Sequence, residues 1–227
     1  MKNIKLYHLH FNSRAVIIRA MLTYKKIPFE DIRITGENWK TLKYSGKFEF
    51  QNLPKLEVDG REYVQMYSIN NYLARQLDLF GNNIEEDYQI NSLLNSYEDF
   101  AGQSRKQHLL PTEEQRKEAG VRFNKVGVPF FLSTYEKRFK KYGGKYAVGD
   151  KFTLADIYLT CYLWNNYKAE MKMKKLGSEV LETHCPLIAE HIKKIKENEL
   201  KEFFEKVYIH NEDPNEMAVV AEIIRNS

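Results

Sequence analysis

Asp59-Gly60, set between Leu56-Glu57-Val58 and Arg61-Glu62-Tyr63-Val64, constrains this chain more than any other feature. Both turn residues tolerate positive φ, and two short alternating runs around such a pair read as a tight antiparallel hairpin. What flanks the hairpin then limits the architecture. Upstream, Ile4 and Leu6 alternate with Lys5 and Tyr7, a period of two that predicts a strand over 3–9. From Ser13 the period changes: Ala15, Ile18, Met21 and Leu22 recur at helical spacing until Pro28 stops the run. Phe29 to Ile34 reads as a second strand, completing a βαβ unit with the usual right-handed crossover. A polar stretch containing Trp39 leads to Leu53-Pro54 and the hairpin, and a helix with Ile69, Tyr72 and Leu73 on one side closes the series. The order β-α-β, then β-β-α, makes one α/β lobe over residues 1–80.

Beyond that lobe the pattern is helical. Ile90, Leu93, Leu94 and Tyr97 form a stripe, Gly127 and Pro129 interrupt or restart a second long stretch around Phe130 to Tyr142, and Gly143-Gly144 ends it. Thr153-Leu154-Ala155-Asp156 matches a capping box, in which the hydroxyl serves the helix's early N–H groups and the carboxylate reaches back to the first. Phe152 and Ile157 are spaced for a hydrophobic staple, and further helices are expected near 185–196 and 199–208. An all-helical domain over 84–209 follows, with an appendage at 210–227. There Asp213-Pro214 starts a short helix whose Met217, Val220, Ala221 and Ile224 share a face.

Composition narrows the function classes. Hydrophobic residues are 43% of the 227 and charged residues 29%, a globular balance that suits two small lobes. No apolar run approaches the roughly 18 residues that span a bilayer, and no charged-then-apolar leader precedes the first strand. Cys161 and Cys185 make neither a disulfide framework nor a metal-type pairing, so reduced thiols and a cytoplasmic location are expected, with no metal. The formal charge of +4 is spread among acids. Its densest cluster, Lys172, Lys174 and Lys175, reads as a solvated face rather than a nucleic-acid site, while the balance favours anionic small molecules.

The motifs, taken in order, resemble the cytosolic glutathione transferases, and within them the sigma class that includes glutathione-dependent prostaglandin D synthases. Carrying the likeness are Lys5-Leu6, Arg14-Ala15, Ile17-Ile18-Arg19, Glu30-Asp31-Ile32-Arg33-Ile34 and Trp39. So do Leu53-Pro54, Leu56 to Gly60, Gln65 with Ile69, Tyr72-Leu73-Ala74, Glu98-Asp99-Phe100, and Gly149-Asp150 with Phe152 to Asp156. The resemblance implies a thioredoxin-like domain followed by an all-α domain, glutathione as co-substrate, a small electrophile as partner, and a homodimer.

It also implies residue roles. A tyrosine hydroxyl at the end of the first strand holds the glutathione thiolate in sigma-like members; counted back from Arg14-Ala15 that position is His8, and Tyr7 takes it only with one extra loop residue. A neutral imidazole N–H can donate to sulfur, and imidazolium does so better. Arg14 either orients the sulfur or makes a structural ion pair. Trp39, Lys43, Gln51, Asn52 and Leu53 line the glycine and cysteine ends, with Pro54 the cis-proline that leaves the Leu53 backbone free to pair with the cysteinyl unit. Tyr44 to Asn52 is about two residues longer than the family pattern, by the same resemblance. Gln65 matches the reader of the γ-glutamyl amine. Met66 stands where a serine or threonine serves the γ-glutamyl carboxylate, and Asp99 matches an acid that reaches a neighbouring subunit's ligand. Two readings result: a glutathione-dependent transferase or isomerase, and a catalytically weakened member acting as a scaffold in a larger assembly through its tail. The lack of Cys-x-x-Cys in the first lobe argues against a redox protein of thioredoxin type.

Overall fold

Four strands form one mixed sheet in the computed structural model. β1 (Ile4–Leu9) runs parallel to β2 (Glu30–Ile34) and antiparallel to β3 (Lys55–Val58), which pairs antiparallel with β4 (Arg61–Val64). The hairpin turn is Asp59-Gly60, both at positive φ (51° and 82°). Residues 1–163 and 183–208 are described, with Asn215, Val219, Glu222 and Ile223. The Lys172–Lys175 cluster, Asp213-Pro214 and Met217, Val220, Ala221 and Ile224 lie outside them.

Contacts divide the chain into two units, Met1–Asp78 with Asn198–Ser227, and Leu79–Glu197. In the first, α1 (Val16–Tyr24) links β1 to β2, and α3 (Met66–Gln76) follows β4. Ile4, Leu6 and His8 are buried on one face of β1, with Arg19 of α1 fully buried. On the opposite face Tyr7, Leu9, Ile32 and Ile34 pack with Trp39 and Leu42 of α2 (Gly36–Leu42). This helix occupies what the sequence reading treated only as a polar stretch. Thr35 starts it, its hydroxyl accepting from the Asn38 N–H at 3.2 Å. α9 (Lys201–Lys206) packs on α1, and Ile223 packs on the Tyr7–Trp39 cluster.

The second unit is helical: α4 (Ile84–His108), α5 (Glu113–Arg122), α6 (Val128–Tyr142), α7 (Leu154–Tyr158) and α8 (Pro186–Glu197). Gly127 and Pro129 restart the helix rather than break it: a π-turn at Phe123–Gly127 joins α5 to α6, whose first turn holds Pro129. At α7 the box closes. The Thr153 hydroxyl accepts from the Ala155 N–H at 3.3 Å, and Asp156 Oδ2 accepts from the Thr153 N–H at 2.8 Å. The other Asp156 oxygen lies 2.8 Å from His191 Nε2 and accepts from the Ala147 N–H at 2.7 Å, so one buried carboxylate ties three segments together. Among the described residues no helix is long and apolar enough to cross a membrane.

Candidate functional site

The Leu53–Pro54 peptide is cis and stands at the entry to β3. Neither the N–H nor the C=O of Leu53 makes a hydrogen bond to any described residue, although the residue is only 8% exposed. A strand-like segment with free backbone groups can accept an added extended chain. Two more unused groups belong to the same unit. The Trp39 indole N–H bonds to no described residue while its ring packs edge-on against Phe48 at 5.0 Å. Gln65, at the start of α3 with φ of 70°, is exposed and its side chain makes no capping bond.

Tyr7, Leu9, Phe11, Trp39, Phe48 and Leu53 form one apolar cluster, so the structure brings Tyr7, Trp39 and Leu53 together. Lys43, Gln51 and Asn52 lie on the loop between α2 and β3, with Gln51 and Asn52 exposed. Met66, the first residue of α3, is buried. Arg14 is half-buried in the short 3₁₀ turn Ser13–Ala15. Asp99 is exposed on α4 and belongs to the second unit.

His8 lies on the other sheet face from Tyr7 and is 2% exposed. Its Nδ1 sits 3.3 Å from the Leu9 carbonyl oxygen, which only accepts, so Nδ1 carries the proton. Burial above all, with the charges of Arg19, Arg14 and Arg33, pushes its pKa down to about 3. The ring is therefore neutral near pH 7, and Nε2 presents a lone pair rather than a donor. The Tyr7 hydroxyl points to the Glu57 carboxylate at 3.5 Å, and burial with the charges of Glu57 and Glu30 raises its pKa.

A cationic cluster that the sequence reading did not single out as functional lies beside His8. Arg19 donates from Nε and Nη2 to Asp31 at 3.0–3.1 Å and from Nη1 to the Phe11 carbonyl at 2.9 Å. Arg33 donates to the same carboxylate at 2.7 Å and to the Val207 carbonyl at 3.2 Å. One carboxylate thus answers two guanidinium groups, those of Arg19 and Arg33. The signal was available: Asp31 and Arg33 alternate on the strand face of His8. By contrast both cysteines, in the second unit, are buried with thiol pKa values pushed up, which makes them poor nucleophiles.

Known proteins are similar to this chain in sequence and in fold. The family model described as "Glutathione S-transferase, N-terminal domain" matches residues 2–75, and "Glutathione S-transferase, C-terminal domain" matches 98–207. Glutathione S-transferase 4 of Caenorhabditis elegans is 35% identical over 186 residues, covering 78% of this chain and 88% of its own. Among solved structures, the sigma class transferase of Fasciola hepatica superposes with a TM-score of 0.76 at 25% identity, covering 93% of this chain and 98% of its own. Prostaglandin synthase D of Nilaparvata lugens gives 0.74 at 26%, covering 91% and 99%. With family models matching in both halves and a relative 35% identical over most of both chains, this chain belongs to the glutathione S-transferase family.

Proposed function

We propose that the chain binds glutathione along the Leu53–Pro54 edge and joins its sulfur to small electrophiles. The Leu53 backbone, unpaired among the described residues, carries the reading, because an extended cysteinyl unit supplies one acceptor and one donor in the register of an added strand. Trp39, Lys43, Gln51 and Asn52 take the glycine end of the tripeptide. Gln65 reads the γ-glutamyl amine, and the N–H groups opening α3 take its carboxylate without the hydroxyl that Met66 lacks.

Free thiols titrate near 8.5, so the sulfur needs a field that favours its anion. Arg14, with the Arg19–Asp31–Arg33 cluster, supplies positive charge, and His8 stays uncharged beside it. The thiol proton leaves to solvent. The sulfur's electron pair then forms the carbon–sulfur bond as the leaving group departs with its own pair. The likeness to the Fasciola protein supports a sigma-like assignment, and the reading extends to a cytosolic homodimer in which Asp99 meets a neighbouring subunit's ligand.

Retention on immobilised glutathione and turnover of an activated aryl halide are the expected results. A folded chain that does neither rejects the proposal.

A further inference from the structure

Lys55 follows cis-Pro54 directly, yet its side chain is 7% exposed. An ammonium is costly to bury unless it is paired, and here every partner can be named. Nζ donates to Glu62 Oε1 of β4 at 2.7 Å and to the Lys47 carbonyl at 3.2 Å. It also lies 4.7 Å from the centre of the Tyr7 ring and 5.0 Å from that of Phe48. Tyr7 is its cross-strand neighbour, so these contacts sit on the sheet face covered by α2.

Lys47 and Phe48 are the middle of the loop that joins α2 to β3. Its first half is a turn held by Ser45, whose N–H and hydroxyl both donate to the Leu42 carbonyl (3.1 and 2.6 Å). Its second half is a turn held by the Gln51 N–H on the Phe48 carbonyl at 2.9 Å, with Gln51 at φ of 50°. Between those turns, Phe48 is the buried residue of 43–52, and it packs on Trp39 and Tyr7. The Lys55 ammonium binds the loop at this point, through one carbonyl and one ring.

We infer that Lys55 is a positioning residue for glutathione: it fastens the 43–52 loop to the sheet and so sets the places of Lys43, Gln51 and Asn52. This rests on the glutathione reading above. Lysine suits the task because its point charge serves a carbonyl, a carboxylate and two ring faces at once. A methionine of similar length fills the space but serves none of the polar partners.

The test compares the full chain with Lys55→Met, Lys55→Arg and Phe48→Leu, each checked for folding by circular dichroism. Initial rates with an aryl halide are measured against glutathione, alongside amide hydrogen exchange over 43–52. For Lys55→Met, KM for glutathione rises tenfold or more, kcat and KM for the halide stay within threefold, and exchange over 44–50 quickens. Lys55→Arg recovers at least half of the loss on a logarithmic scale. If Lys55→Met fails to fold, Phe48→Leu carries the test with a smaller shift in the same two readouts. Unchanged KM and exchange, or a fall confined to kcat, overturns the inference. A wild-type chain that binds no glutathione removes the transferase reading and with it the role in binding; exchange then decides the fastening by itself.

Discussion

His8 makes a thermodynamic prediction that its structure quantifies. In the unfolded chain a histidine titrates near 6.5, whereas in the native state burial and the neighbouring arginines push His8 down to about 3. Between these values the unfolded chain holds a proton that the native chain refuses. The contribution to stability is therefore complete above about pH 6.5 and is lost as pH falls toward the folded value. From pH 7 to pH 5, the linkage relation assigns about 2 kcal/mol of lost stability to this one residue. The full interval to pH 3 assigns about 4–5 kcal/mol, a large share of the roughly 5–15 kcal/mol that holds a domain folded. Urea unfolding at pH 7, 6 and 5, followed by circular dichroism, measures the effect in the wild type and in His8→Gln. The variant is less stable at pH 7 but less sensitive to acid by that same 2 kcal/mol. Equal slopes for the two proteins would refute the argument, because they require His8 to charge as readily folded as unfolded.

Three further outcomes are expected. Tyr7→Phe leaves aryl-halide turnover within threefold, since the hydroxyl faces Glu57; a hundredfold loss would make that hydroxyl the thiolate's donor. Gln65→Ala raises the glutathione Kd about tenfold, roughly one hydrogen bond to a charged group, with unchanged melting; an unaltered Kd places the amine elsewhere. Asp156→Ala strips partners from the Ala147 and Thr153 N–H groups and from His191, at a cost of about 3 kcal/mol or more, read by denaturant unfolding. A loss below about 1 kcal/mol would mean water replaces the carboxylate at little cost.

Local chemistry explains which elements were legible. Asp59-Gly60 adopts its turn because both residues accept positive φ, and Thr153 with Asp156 caps its helix within four residues of chain. The strand β1 follows from alternation alone, and so does the separation of Tyr7 from His8 onto opposite faces. α2 was missed because its only strong apolar anchor is Trp39; Thr35, which caps it, was the signal to weigh. For Lys55, alternation places it on the Tyr7 face, but a charge there reads as solvent-exposed until partners from a loop and another strand are known.

The sequence by itself determined the order of the four strands, the hairpin, the Thr153 cap and the family, because periodicity, turn chemistry and capping act over a few residues. Only the tertiary structure decided that His8 is neutral, that Arg19 and Arg33 share Asp31, that Lys55 is buried, and that the Leu53 backbone has no hydrogen-bond partner among the described residues. Protonation and burial depend on what distant segments bring within a few ångströms, and no local pattern encodes that distance.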